Sequence, residues 1–510
     1  ADALKVPGVE KVVEVKGWPW PSKFMPVGGV AVVARNTGSA IKAREALKIV
    51  WDDGANKDYD SASYREALRT TAGQPGRMAR NDGDADAALK TAAKVVTAEY
   101  YIPHLAHVSM SPPSATVHVA DGKCVAWAAT QSPGGARDDL AKMLGIPVEN
   151  VTLHVPLLGG GFGRKSKWDY VLEAALVSQS VGAPIKLTWT REDDIQHDFY
   201  HTVSVERIDA GLDAQDKVIA WRHRSVAPTI GSTFGPDPKY AQPFEMGMGL
   251  VDVPFAIPNL RCEAGEAAAH TRIGWFRSVS NIPHGFAVQS MVAEIAAATG
   301  RDPKEVLLEL IGPPRTIDLS KSVAKFWNYG DPVSTYPIDT GRLARVTQIA
   351  AEGAGWGKAL PKGSGMGIAT HRSFLTYVST VVEVAVDAKG NLSVPRVTTA
   401  VDCGFWVNPE RIRSQIEGAA VMGLSLAKYG EVTFKAGRVE QSNFDGFQVA
   451  RIDESPGETR VHIVPATYDI PSSGIGEPGV PPFAPALCNA IFAATGKRIR
   501  NLPIGDQLSS

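Results

Sequence analysis

Leu157-Leu158-Gly159-Gly160-Gly161-Phe162-Gly163-Arg164-Lys165 is the stretch on which the reading of this chain turns. The apolar run before it, Val151 to Leu158, reads as a strand, and Pro156 confines that strand to an edge or irregular position. Downstream, Trp168, Val171, Leu172, Ala175 and Leu176 recur at spacings of three and four, the period of a helix. Glycines between strand and helix let the backbone come close to a ligand with its N–H groups exposed, and a helix N-terminus favours negative charge. The stretch is either a site for a phosphorylated or oxyanionic cofactor or an ordinary tight turn. It fits neither the G-x-G-x-x-G pattern of dinucleotide sites nor a P-loop ending in Gly-Lys-Ser/Thr.

The 510 residues exceed what one compact core accommodates, so several domains are expected. A formal net charge of -1 gives no reason to expect nucleic acid or an anionic membrane as partner. No apolar run approaches the roughly 20 residues that span a bilayer. Cys124, Cys262, Cys403 and Cys488 form no C-x-x-C pair, so an iron–sulfur cluster or zinc site built by this chain alone is not expected.

Strands and helices alternate along the chain, which places it in the α/β (α+β) class. Residues 1–95 read as a partial domain and polar connector, 96–312 as a first strand–helix domain, 313–364 as a linker with one helix, and 365–510 as a second domain. Asp121-Gly122 predicts a hairpin between strands 115–120 and 124–128. Asn408-Pro409 predicts the start of a helix over about 409–427, and a further helix covers about 484–495.

Glu477, in Gly474-Ile475-Gly476-Glu477-Pro478-Gly479, is either a solvated loop glutamate or a carboxylate whose apolar surroundings raise its pKa and make it a general base. Gln131 and Gln415 are amides among residues expected to be buried; they serve a core network or a bound polar cofactor. Gln415 falls on the same helical stripe as Ile412, Ile416 and Ala419. Arg277, after Trp275-Phe276, suits an anionic or aromatic substrate or a structural ion pair. No H-E-x-x-H metal motif and no G-x-S-x-G elbow occurs.

Six motifs stand in order: Thr130-Gln131, Gly159 to Lys165, Trp275-Phe276-Arg277-Ser278, Val401-Asp402-Cys403-Gly404, Gln415-Ile416-Glu417-Gly418 and Gly476-Glu477-Pro478-Gly479. Together they resemble the large, molybdenum-cofactor-binding subunit of the xanthine dehydrogenase/aldehyde oxidase family over almost the whole chain. Arg164 and the ending Gly496-Lys497-Arg498-Ile499-Arg500-Asn501-Leu502-Pro503-Ile504 are similar to the isoquinoline 1-oxidoreductase β-subunit branch.

The resemblance implies the molybdopterin-binding large-subunit fold, with a small α/β hammerhead-like piece in residues 1–95. It implies a molybdenum hydroxylase that oxidises an N-heteroaromatic ring carbon or an aldehyde with oxygen from water. Molybdenum would be held by the dithiolene of a molybdopterin, in the cytosine dinucleotide form, and by no protein side chain. Glu477 matches the family's general base and Gln131 the amide near the metal's apical oxygen. Gly160, Gly161, Phe162 and Gly163 match the loop packed against the metal. Arg277 matches the cofactor- and substrate-side arginine, Gln415 and Gly418 the pterin-binding helix, and Trp275 and Phe276 the substrate side. Electrons would leave through a two-iron, ferredoxin-like small subunit.

Three departures from the pattern matter: Met110-Ser111-Pro112, Gln289-Ser290, and Ser166 where purine-oxidising relatives carry Glu, which argues against a xanthine-like substrate. Members of the branch carry roughly 200 further residues upstream, about one domain, with a Met-Gly-Gln-Gly segment that contacts the cofactor phosphates. A complementary chain, a cleaved N-terminal piece or a truncation is expected to account for it. The rival expectation is an orphan or incomplete subunit that binds no molybdenum without that segment. A twin-arginine leader, frequent in the branch, implies a periplasmic location, with the cytoplasm as alternative.

Overall fold

The computed structural model describes residues 2–509. Three sheets carry the architecture. A five-stranded sheet runs in the order Arg77–Asp82, Asn259–Ala264, Val218–Val226, Ser204–Leu212, Lys94–Ile102. A four-stranded sheet of Val151–His154, Lys123–Ala128, Ser114–Ala120 and Ile185–Thr188 lies beside it in the chain's first half. The second half contributes Ser364–Ser373, Thr376–Val386, Leu392–Asp402 and Glu458–Ile463, the last pairing in parallel. The N-terminal strands Val9–Val15 and Gly29–Ala34 form an antiparallel pair with helix Thr37–Glu45 packed on it.

Helix Asn281–Thr299 joins the halves. Residues 281 to 296 are all buried, and the helix packs against strands Lys94–Ile102 and Ser204–Leu212 on one side and helix Phe483–Thr495 on the other. One apolar core consequently runs from Ala98 through Phe286 and Met291 to Val382 and Leu487. Helix Phe483–Thr495 reaches strand Ser364–Ser373 because Gly365 and Gly367 leave room: a Cβ on either would strike the helix backbone.

The 313–364 stretch, expected as a linker, is packed. Leu319, Val323, Ile338 and, on helix Thr340–Ala354, Leu343, Val346 and Ala350 are all buried in the main core. The polar connector before residue 95 likewise supplies helix Ser61–Ala72, strand Arg77–Asp82 at the edge of the five-stranded sheet, and helix Ala85–Thr91. Composition hid both, because small and polar residues there cap and edge the core.

Several local expectations hold. Asp121 and Gly122, at φ of 49° and 69°, make the predicted two-residue hairpin turn. Asn408 caps helix Pro409–Lys428 by accepting from the Arg411 N–H. The strand before the glycine loop is shorter than its apolar run: it ends at His154, and Leu157 is 99% exposed. Pro156 has no N–H to continue a ladder.

Candidate active site

The glycine loop bends through three left-handed residues, Gly160 at φ 84°, Phe162 at 53° and Gly163 at 108°. A single turn of 3₁₀ helix, Arg164–Ser166, follows, and helix Asp169–Val181 begins only after Trp168. The helix N-terminus is therefore displaced from the loop, and its first residue is an acid, not an anion's partner. Arg164 and Lys165, which close the glycine-rich stretch, turn into the protein. Arg164 is buried, bonds Asp169 through Nη1 and Nη2 at 2.9 and 3.1 Å, and has its Nε 3.3 Å from Asp198. Lys165 Nζ donates to Ser111 Oγ at 2.7 Å. A charge in a dry interior persists only when paired.

Gln131 stands directly against the loop. Its N–H donates to the Lys165 carbonyl at 2.8 Å, its Oε1 accepts from the Gly163 N–H at 3.1 Å, and a Cβ on Gly161 would collide with its amide. With Oε1 taken, the Nε2 donors are left free. The N–H groups of Gly160, Gly161 and Phe162 have no acceptor among the described residues. Buried peptide groups without partners are rare, so this row of donors on a loop whose Gly161 is buried points to a bound acceptor.

Arg277 ties four stretches together. Its N–H donates to the Phe162 carbonyl at 2.9 Å, Nε to the Gly476 carbonyl at 2.7 Å, and Nη2 to both the carbonyl and Oε1 of Gln415 at 3.1 Å. The guanidinium, expected to face cofactor or substrate, is instead spent on the polypeptide. Gln415 is exposed, not buried on the Ile412–Ile416 stripe, and its Nε2 is free like that of Gln131, which is also exposed. Added Cβ atoms at Gly134, Gly418 and Gly476, close in sequence to Gln131, Gln415 and Glu477, would meet nothing within 4 Å. The backbone at these three glycines is thus unobstructed.

Trp275 is half-buried, donates from Nε1 to Ser166 Oγ at 2.6 Å and meets Phe24 edge-on. Phe276, expected on the substrate side, is placed in the core instead, packed with Leu105, Ile282 and Ala419. Phe276 and Arg277 are both buried, the first in apolar packing and the second in hydrogen bonds to the polypeptide.

Glu477 is held from one side. Its Oε2 accepts from the Ser278 N–H at 2.5 Å and its backbone carbonyl from Ser278 Oγ at 2.8 Å, whereas Oε1 has no hydrogen-bond partner among the described residues. Burial raises its pKa above the usual glutamate value, opposed by the Ser278 N–H and by the charges of Arg277 and Lys167. Ser278 and Val279 are both left-handed, at φ of 84° and 50°, a conformation costing about 1–3 kcal/mol per residue.

Sequence reasoning missed Lys167. It is fully buried, donates from Nζ to the carbonyls of Gly163 and Trp275 at 2.7 and 2.8 Å, and is drawn well below the usual lysine pKa by burial. His107 reaches the same Trp275 carbonyl with Nε2 and Asp198 with Nδ1, both at 2.9 Å. These groups pin the glycine loop to the Trp275–Ser278 segment, and a Cβ on Gly163 would strike the Trp275 oxygen. Only the unusual density of Lys and Arg before an apolar helix hinted at buried cations.

Among the described residues, no group of three His, Cys, Asp or Glu side chains is arranged to hold a metal. What converges instead is a set of neutral donors, a shaped carboxylate and glycines facing open space, the chemistry of a pocket for a polar organic cofactor that brings its own ligands.

Comparison with known proteins gives the same class. The family model described as "Molybdopterin cofactor-binding domain" matches residues 70–309, and a second of the same description matches 329–456. The chain is 32% identical to the membrane-bound aldehyde dehydrogenase [pyrroloquinoline-quinone] of Gluconacetobacter polyoxogenes over 94% of its own length and 62% of that protein. It is 27% identical to the isoquinoline 1-oxidoreductase subunit beta of Brevundimonas diminuta, over 99% of the chain and 62% of the relative. The fold is that of quinoline 2-oxidoreductase from Pseudomonas putida 86, with a TM-score of 0.74 at 14% identity, covering 99% of this chain and 91% of that one. The chain belongs to the molybdopterin-cofactor-binding large subunits of the xanthine dehydrogenase family. It spans 62% of the length of each of the two relatives.

Proposed function

We propose that the chain is the cofactor-binding subunit of an oxidoreductase acting on an aldehyde or an N-heteroaromatic ring carbon, with oxygen from water and Glu477 as general base. The observation that carries this is the state of Glu477: one carboxylate oxygen fixed on the Ser278 N–H, the other free, beside space bordered by Gly476. The names of the two relatives supply the two substrate classes. A bound molybdopterin, in the cytosine dinucleotide form, supplies the two-electron redox centre.

The chain's own residues do the rest. The free N–H groups of Gly160, Gly161 and Phe162 and the amides of Gln131 and Gln415 bind and orient the cofactor. Gly418 leaves the face of its helix clear for it. Glu477 takes the proton from the oxygen nucleophile, and its raised pKa suits a proton acceptor near neutrality. Arg277 keeps the Glu477 loop, the Gln415 helix and the glycine loop in one geometry. Electrons then pass to a two-iron, ferredoxin-like small subunit, since the four free cysteines lie buried and apart. A periplasmic location belongs to the same reading and is checked by fractionation of the producing cells. No helix among the described residues is long and apolar enough to cross a membrane.

Glu477→Gln in the assembled enzyme tests the assignment. Turnover is expected to fall by about 10²–10⁴-fold with molybdenum content unchanged; near-normal turnover would show that another group takes the proton. A competing reading is that the chain holds the cofactor only together with further polypeptide, because Gln131 and Gln415 are both exposed. Molybdenum analysis of the chain alone and with co-expressed small subunit separates the two, and stoichiometric metal in the isolated chain removes the competitor. The quinone in one relative's name is addressed by the same sample, since a quinone cofactor leaves molybdenum absent.

A further inference from the structure

Ser278 presents its N–H to Glu477 only because two successive non-glycine residues, Ser278 and Val279, are held in the left-handed region. Such a conformation persists where its surroundings over-determine it. The Ser278 carbonyl accepts twice from one residue, Asn281: from the backbone N–H at 3.1 Å and from the side-chain Nδ2 at 3.0 Å. Because Nδ2 faces a carbonyl, which can only accept, Oδ1 is the atom facing His371 and Tyr329. Oδ1 accepts from His371 Nε2 and from the Tyr329 hydroxyl, each at 2.9 Å. Asn281 is itself fully buried, at the first turn of helix Asn281–Thr299. Its clamps come from two distant elements, strand Ser364–Ser373 and the short turn Asn328–Gly330, in which Asn328 and Tyr329 are left-handed as well.

We propose that Asn281, fixed by His371 and Tyr329, is a positioning residue for the base: it locks Ser278 so that its N–H grips Glu477 Oε2 and leaves Oε1 directed at the reacting atoms. The positioning of a base rests on the role proposed for Glu477; the locking of Ser278 does not. The clamp is insensitive to pH. Burial pushes the His371 pKa down to about 3, so the ring stays neutral with its proton on Nε2, and the Tyr329 hydroxyl stays protonated. The charged groups acting on Glu477 are Arg277 and Lys167, one from each neighbouring segment, and neither bonds Asn281.

Asn281→Asp isolates the donor half of the clamp, since a carboxylate still accepts from His371 and Tyr329 but has nothing to give the Ser278 carbonyl. Hydrogen exchange of the peptide covering 276–280, followed by mass spectrometry on the chain as isolated, needs no cofactor. Exchange at the Ser278 amide is expected to rise about tenfold or more in Asn281→Asp and Asn281→Ala, the order expected for one buried hydrogen bond lost. In the loaded enzyme the acid limb of kcat/KM is expected to move up by about one pH unit, because the carboxylate loses the donor that favours it. Unchanged exchange in both variants overturns the clamp. Raised exchange with an unmoved acid limb overturns the positioning role, while the base itself stands or falls with Glu477→Gln. Should both Asn281 variants fail to fold, Tyr329→Phe removes a single hydroxyl from Oδ1 and is expected to give the same two changes at smaller size; the absence of both changes would overturn the proposal.

Discussion

Two opposing influences meet on Glu477, and their order sets its pH behaviour. Burial raises its pKa, and the Ser278 N–H, Arg277 and Lys167 pull it back without cancelling the rise. The acid limb of the proposed activity is therefore expected above the ordinary glutamate range near 4.3, with rate rising as the carboxylate ionises. Arg277→Met removes one opposing charge and moves that limb higher still; a limb that moves down would contradict the balance. The sign for stability is the reverse. A glutamate with a raised native pKa binds its proton more tightly when folded, so stability is lost as pH rises from the unfolded toward the native pKa. Glu477→Gln is accordingly expected to raise the melting temperature at pH 7 and to leave it unchanged near pH 4. At Gly163 the backbone sits at φ 108° with the Trp275 oxygen where a Cβ would be. Gly163→Ala should cost about 2–4 kcal/mol in urea unfolding, strain and overlap together. A loss under about 0.5 kcal/mol, the level of an ordinary surface change, would mean the loop relaxes freely.

Helices and strands were readable wherever local chemistry specifies them. Asn408 as an N-cap and Asp121-Gly122 as a hairpin each act within four residues of themselves. What periodicity could not show is which face meets which partner. Lys167 went unseen, and the burial of Arg164 with it, because their partners, the Trp275 carbonyl and Asp198, lie 108 and 34 residues away. Phe276 read as a substrate contact because nothing local distinguishes a core aromatic from a pocket one. The six motifs fared better as a set than singly: they marked the residues that meet, though Arg277 and Gln415 bond each other where sequence gave each a separate ligand. The strand–helix contact at Gly367 is a test at this scale. Gly367→Ala places a methyl against the backbone of helix Phe483–Thr495 and should cost about 1–3 kcal/mol, read as a lower urea midpoint at unchanged slope.

The two family matches, 70–309 and 329–456, divide the sequence, yet the core does not divide. Helix Asn281–Thr299 and helix Phe483–Thr495 bury each other, and helix Thr340–Ala354 lies on the second-half sheet with residues of 313–338 beneath the same core. Calorimetry is expected to show one transition for this core, and limited proteolysis around residue 335 should not release two stable halves. Two separated transitions would show that the matches are independent folding units. Arg277 to Gly476 and Ser278 to Glu477 each span 199 residues of chain. Contacts that distant close late, after the entropy of a long loop has been met. A chain leaving the ribosome therefore has no pocket until residue 477 and the helix behind it have emerged. Loading must follow translation, and a cell starved of molybdenum would accumulate finished, empty protein, not fragments.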